Sequence, residues 1–586
     1  MNSLRMEKGV VALKVALLVV MLALGGVSVR MQAAITSTSQ NLDEFSFKKG
    51  LTMNGGLSFS NSFYSGSDSL VYRDPYAMFL NGNLNFNLWG ISMPFSFSYS
   101  NTQKSYTQPF NRFKLDPRYK WVHLLVGTNV MEMSKYTLSD HDFTGVGVEL
   151  TPGNWNISGM YGRLKKAVEF DSKVENYSTV SYKRMGYAAK VGYDASFGEY
   201  NVTFFHGEDD KNSLDDEVPM ECYLTPQENT AVSASVTQKF LKYFYVHGEY
   251  AVSIYNSNIL TEEDEPAKTG NILDRILGRN VSERYVDACN AALGYQGQVW
   301  GVALQYERVA PYYTTLGGYY FTNDLENFTL APNVKLMKGK LTLSGNFGLQ
   351  YNNLNGDNAN DTHHVVYSAN ASYSSGKAWN ASLSFSNFTT YTKLKPVSYP
   401  YYTDALDSLN FYQLSRSLSG SVSYTFGSEA VVDVISGNAA YQTANIFQED
   451  KLTSFSDFYS GGLSFSQQIA AWAMGWSLFL NGSFSDASSS ETSYFGPGAA
   501  LNKGFFRNRL TTGISCNYNW NTVSGETTGS LLNSGWNLSY AIDGTKKKLG
   551  RHCFSLNSGY TKYLGGMVKG DNEYEFLTTL TYSINF

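Results

Sequence analysis

Seven histidines and four cysteines are the residues best suited to nucleophilic, acid–base or metal chemistry, and their spacing argues against all three. The histidines are His123, His141, His206, His247, His363, His364 and His552. None pairs at metal-ligand spacing, and His363 and His364, adjacent on a strand, would face opposite sides. The cysteines, Cys222, Cys289, Cys516 and Cys553, form no CxxC pair, so zinc and dithiol chemistry have no framework. There is no GxSxG turn, no HExxH and no phosphate-cradling glycine loop before a helix. The chain is expected to be no enzyme and to use no cofactor or metal. Three stretches gather oxygen donors. One holds Glu208, Asp209, Asp210, Asp215, Asp216, Glu217, Glu221 and Glu228 against Lys211; the second is Glu262-Glu263-Asp264-Glu265, and the third is 355–361, NGDNAND. Divalent-cation bridging to lipopolysaccharide is one reading, and solvated outer loops are the plainer one.

The elements that would carry such residues are strands. Aromatic residues make up 15% of the chain and charged residues only 16%, against about a quarter charged in a soluble domain. The last thirteen residues alternate: Tyr574, Phe576, Thr578, Leu580, Tyr582, Ile584 and Phe586 share one face, and mostly polar residues share the other. A period of two is a strand with two different sides. The same alternation recurs at Phe244–Val246–Gly248–Tyr250–Val252, at Leu341–Leu343–Gly345–Phe347 and at Trp472–Met474–Trp476–Leu478. Short turns such as Trp89–Gly90 alternate with longer polar loops centred near 170, 218, 270, 318, 357, 400, 450, 488, 524 and 568. The pattern predicts an all-β fold: a large antiparallel transmembrane β-barrel with short periplasmic turns and long extracellular loops.

The start of the chain reads as a targeting segment. Arg5, Lys8 and Lys14 precede ten apolar residues and then small ones to Ala34, which predicts a signal peptide at 1–34. A short periplasmic segment at 35–50 and a barrel over 51–586 follow. Sixteen residues are too few for the plug domain of an energy-coupled transporter. Without the segment 1–34 the chain keeps 41 basic and 49 acidic residues, a balance that argues against a nucleic-acid partner.

Both chain ends of a barrel lie on the periplasmic side, so the strand number is even. Alternating segments number twenty-five if Tyr119–Val126 is included. Setting it aside predicts about twenty-four strands, within 22–26. Such a barrel would be roughly 45–50 Å across, wide enough to need filling. The longest stretch without alternation, 102–142, is the predicted lumen insert. Its first half carries Lys104, Arg112, Lys114, Arg118 and Lys120 against Asp116, a basic constriction for an acidic lumen.

Several motifs resemble those of a family of Bacteroidota-type integral outer-membrane β-barrel proteins. They are Arg73-Asp74-Pro75-Tyr76 followed by NGNLN, the QPFNRF and DPRYKW segments, Met160-Tyr161-Gly162-Arg163, and Thr315-Leu316-Gly317-Gly318-Tyr319-Tyr320 before NDLEN. The resemblance implies location and fold, and no chemistry. A gated or partly plugged outer-membrane channel is the leading expectation. The alternative is a non-catalytic accessory subunit of a secretion or surface-protein assembly complex, which would require secretion components or surface lipoproteins as partners. Either one contacts outer-membrane lipid and lipopolysaccharide. Either one is expected to be read by the barrel-insertion machinery through Tyr582, Ile584 and Phe586.

Overall fold

The computed structural model describes residues 50–67, 74–101, 111–170, 180–215, 222, 224–260, 283–319, 321–356, 363–376, 378–391, 411–448, 451–543, 550–565 and 573–586. The expected signal peptide, Lys104 and most of 355–361 lie outside these residues.

Twenty-seven strand segments follow one another. The first fourteen are β1 (Thr52–Gly66), β2 (Tyr76–Leu88), β3 (Ile91–Ser100), β4 (Arg112–Leu115), β5 (Arg118–Tyr119), β6 (Val122–Val130), β7 (Asp142–Leu150), β8 (Trp155–Lys165), β9 (Lys183–Ala195), β10 (Gly198–Asp210), β11 (Glu228–Phe240), β12 (Phe244–Asn256), β13 (Glu283–Gln296) and β14 (Trp300–Val309). The rest are β15 (Leu325–Leu336), β16 (Leu341–Tyr351), β17 (His363–Ser374), β18 (Trp379–Tyr391), β19 (Phe411–Gly427), β20 (Val431–Gln448), β21 (Lys451–Ile469), β22 (Met474–Ala487), β23 (Ser490–Phe505), β24 (Leu510–Val523), β25 (Glu526–Asp543), β26 (Arg551–Leu564) and β27 (Tyr574–Asn585). Apart from β4 and β5, each pairs antiparallel with its neighbours in the chain, and β27 pairs with β1 over Gly56↔Asn585 to Gly66↔Glu575. The sheet is thereby closed, with no edge left to template aggregation.

β4 and β5 lie end to end between β3 and β6, so twenty-seven segments fill twenty-six wall positions. The count sits at the upper bound of the expected 22–26. The extra hairpin arises because Asp116 and Pro117 interrupt the alternation. Proline has no N–H for the ladder, so Arg112–Tyr119 does not read as a strand. Setting Tyr119–Val126 aside kept the parity even, and the chain keeps it even by supplying a partner instead. Among its described residues the stretch 102–142 is divided: 112–130 is a wall hairpin and 131–141 leaves the wall.

The outward face carries exposed Phe59, Tyr161, Tyr187, Leu293, Leu304, Phe347, Leu463, Ile514 and Leu580. Water would not tolerate so continuous an apolar belt, whereas hydrocarbon requires it. The protein is an integral outer-membrane β-barrel. Turns such as Trp89–Gly90, with φ values of 57° and 95°, lie at the periplasmic end. Wall height is unequal: β6, β7 and β14 have 9–10 residues, whereas β20 and β21 have 18 and 19. Extended pairing also replaces two of the expected long loops. The chain reverses near 488 and 524 in two-residue turns, Ser488–Ser489 and Ser524–Gly525.

Candidate functional site: two outer loops clasped on the lumen wall

The 131–141 loop joins β6 to β7, and the 310–324 loop joins β14 to β15. Both leave the outer rim and turn inward. Met131, Met133 and Leu138 of the first loop and Leu316 of the second pack with Leu125, Phe143, Met160, Leu164, Ala188, Phe205 and Ala231 of the wall. Tyr136 and Tyr313 pack with Ala251, Ala288, Val309 and Leu325. These wall residues alternate with the lipid-facing ones, so their side chains face the lumen. Alanines at 188, 231, 251 and 288 let the loops lie close to the strands. The fully buried Tyr136, Tyr313, Phe143 and Leu138 contribute about 1.5–3 kcal/mol each before ordering costs.

The loops also grip each other. Leu138 bridges in parallel to Gly317, and the Ser139 amide donates to the Gly317 carbonyl at 3.0 Å. The Tyr313 hydroxyl donates to the Tyr136 carbonyl at 2.7 Å, and the Thr315 hydroxyl donates to the Thr137 carbonyl. A Cβ on Gly317 would sit 2.4 Å from the Thr137 oxygen, so a glycine is required for this approach. Wall side chains complete the contact. Asn229 accepts from the Leu316 amide at 3.1 Å and donates to Ser253, whose hydroxyl donates to the Thr314 carbonyl at 2.6 Å.

At its inner tip the first loop meets charge. The Tyr136 hydroxyl donates to Glu307 at 2.8 Å and accepts from Asn290 at 3.2 Å. Ser134 donates to Glu249, and Lys135 pairs with Glu307. Burial, and then the Glu307 carboxylate, push the Tyr136 hydroxyl well above the usual phenol range; burial does the same to Tyr313. Both phenols therefore act as neutral hydrogen-bond groups. His141 stacks on Tyr319 with ring centroids 4.0 Å apart and donates from Nδ1 to the Asp142 carbonyl at 2.7 Å. Burial holds its ring below the ordinary histidine value, and Arg184 adds to this. Beneath the loops, both polar atoms of the Asn129 side chain are buried without a partner among the described residues.

The predicted basic constriction is distributed differently. Arg112, Lys114 and Arg118 stand on the lumen side of β4 and β5, and Lys120 sits in the turn before β6. Lys114 and Arg118 pair with Asp116, and His123 is held between Asp116 and Glu149. Arg112 pairs with Asp142 at 2.8 Å. These groups pin wall strands to each other and do not cross the lumen. Among the described residues, no three His, Cys, Asp or Glu side chains gather as a metal set.

The sequence reading named the Thr315–Tyr320 motif but not its partner. The missed signal is alanine at lumen positions of β9, β11, β12 and β13, where mostly polar residues stand on β16–β24. Tyr582 and Ile584 lie in the closing strand, with Tyr582 4.9 Å from Phe554 and 2.8 Å from His552 Nδ1. The Phe586 backbone exchanges two hydrogen bonds with Gly55, each 2.9 Å.

No protein-family model and no curated protein sequence matches the chain. Solved structures do align with it. The translocation pore of the P pilus usher PapC has a TM-score of 0.36 at 10% identity, covering 91% of this chain and 99% of that one. The siderophore receptor PirA from Pseudomonas aeruginosa has a TM-score of 0.41 at 10% identity, with 91% and 80% covered. Pseudomonas aeruginosa OccK11 has a TM-score of 0.30 at 9% identity, with 94% and 99% covered.

Proposed function

We propose that the protein is a gated outer-membrane conduit whose gate is the clasp of 131–141 on 310–324. One observation carries this reading: the two loops pack on the lumen arc of β6–β15, and the lumen face of β16–β24, mostly Ser, Thr, Asn and Gln, is uncovered by them. Twenty-six strands at ~4.8 Å and about 40° tilt enclose roughly 50 Å if circular. Eleven and fifteen loop residues narrow such a lumen from one side and do not fill it. The clasp has the makings of two states. Buried aromatics and hydrogen bonds favour the folded-in form. The unpartnered Asn129, worth about 1–3 kcal/mol in lost hydration, favours release.

In the same reading, 1–34 directs secretion, outward Tyr582 and Ile584 with terminal Phe586 are recognised by the insertion machinery, and lipopolysaccharide surrounds the outer rim. The resemblance to Bacteroidota-type barrels supports the same location. The test is conductance of the full-length protein in planar bilayers beside Gly317→Val and a variant lacking 132–140. Wild type should conduct with frequent closures, and both variants should close less. Variants indistinguishable from wild type would sink the gate; silence from all three would sink the conduit.

A further inference from the structure

The lumen wall is divided by charge, and the clasp lies on the charged side. On β4–β14 the lumen face carries many charges, among them Lys114, Asp116, Arg118, Glu149, Glu249 and Glu307, these six each in an ion pair or clasp contact. From β16 through β24, leaving aside Lys451 at the start of β21, pairing register places no Asp, Glu, Lys or Arg on that face among the described residues. On β19, for example, Ser415, Ser417, Ser419, Ser421, Ser423 and Thr425 face inward, while Leu418, Val422 and Phe426 face lipid. Arg416, Asp433 and Lys503, charges of these strands, fall on the outward face.

We propose that the conduction path runs along this neutral arc and that its solute is uncharged and hydroxyl-rich, the chemistry of an oligosaccharide; this rests on the conduit reading above. Two independent observations support it. The first is the lining itself. Its hydroxyls pair across strands, Ser382 with Ser421 at 2.8 Å, Ser386 with Ser417 at 2.6 Å and Ser436 with Ser464 at 2.7 Å. Each hydroxyl has one donor and two acceptor positions, so pairing leaves capacity toward the lumen. A sugar hydroxyl there exchanges a water contact for a wall contact at about 0.5–1.5 kcal/mol. Many weak sites hold a solute without trapping it. The second observation is the clasp, which packs on the opposite arc and, among the described residues, does not cover this one. An ionic solute would meet no fixed counter-charge on this wall. An unfolded polypeptide would bring charges for which the lining offers few partners.

The test uses the full-length protein in liposomes and planar bilayers, with maltotetraose and tetragalacturonate as neutral and anionic probes of similar size. Maltotetraose should permeate at least about threefold faster at low salt, and the cation-to-anion permeability ratio should lie within about twofold of unity. Ser421→Asp with Ser464→Asp should shift that ratio toward cations by about threefold or more. Ser421→Asn with Ser464→Asn should not, nor should Asp194→Asn on the lumen face of β9. Equal permeation of the two probes, or Asp substitutions without effect, would overturn the proposal while a conducting barrel left the conduit intact. So would passage of a charged unfolded peptide with maltotetraose excluded. No flux of any kind would overturn both.

Discussion

Tyr313 and Asn129 act on the same clasp with opposite sign. The Tyr313 hydroxyl fills the Tyr136 carbonyl at 2.7 Å; Tyr313→Phe leaves that carbonyl buried and bare. The loss of about 1 kcal/mol should raise the open-to-closed ratio about fivefold. Asn129→Leu removes two buried, unpartnered polar atoms and should lower the ratio by a similar factor, read as dwell times in single-channel records. His141 adds a dependence on pH. Its ring titrates near 6.5 when free and lower in the clasp, so opening takes up a proton between those values. The clasp is therefore firm above about pH 6.5 and loosens as pH falls below it. The charges facing the ring are Asp142, paired with Arg112, and Arg184, paired with Asp209. His141→Phe should leave the tyrosine stack and abolish the acid response of protease access to 131–141.

Among the elements, the wall strands decide where a loop can lie. Ala251 on β12 is fully buried under the clasp. Ala251→Leu adds bulk where there is no room, costing about 1–3 kcal/mol. Because the strand is held on both sides, the loops should yield first. Hydrogen exchange should rise in 131–141 and 310–324 and stay unchanged in β12. Strand alternation was legible in the sequence because lipid and water impose a period of two, and the outward sets of β12, β16 and β22 lie where that period places them. The β4–β5 position was hidden by Asp116–Pro117, since an interrupted strand leaves four residues at most for the period to act on. The clasp was hidden by distance: Tyr136 and Tyr313 meet across 177 positions, and no local pattern encodes such a pairing. What the sequence did hold was the glycine pair at 317–318 and the inward alanines, whose meaning appears only once the strands are set side by side.

At the scale of the whole barrel, charge is segregated with the gate and neutrality with the open wall. Salt should therefore act unevenly. Raising ionic strength from 0.01 to 1 M shortens the screening length from about 30 to 3 Å. It should loosen the Lys135–Glu307 contact at the clasp more than it alters flow past the hydroxyl wall. Open dwell times should lengthen with salt while single-channel conductance stays proportional to bulk conductivity. The cylinder that carries this division is joined by one seam, where Gly56 meets Asn585, and at Gly55 a Cβ would sit 2.1 Å from the Asn83 oxygen. Every other strand pairs with a neighbour made moments before it; β1 must wait for nearly the entire chain to be synthesised. Until then two strand edges present bare amides and carbonyls that hydrocarbon cannot solvate. The chain cannot enter the membrane by halves, and its two ends must be kept apart from other strands, and available to each other, throughout export.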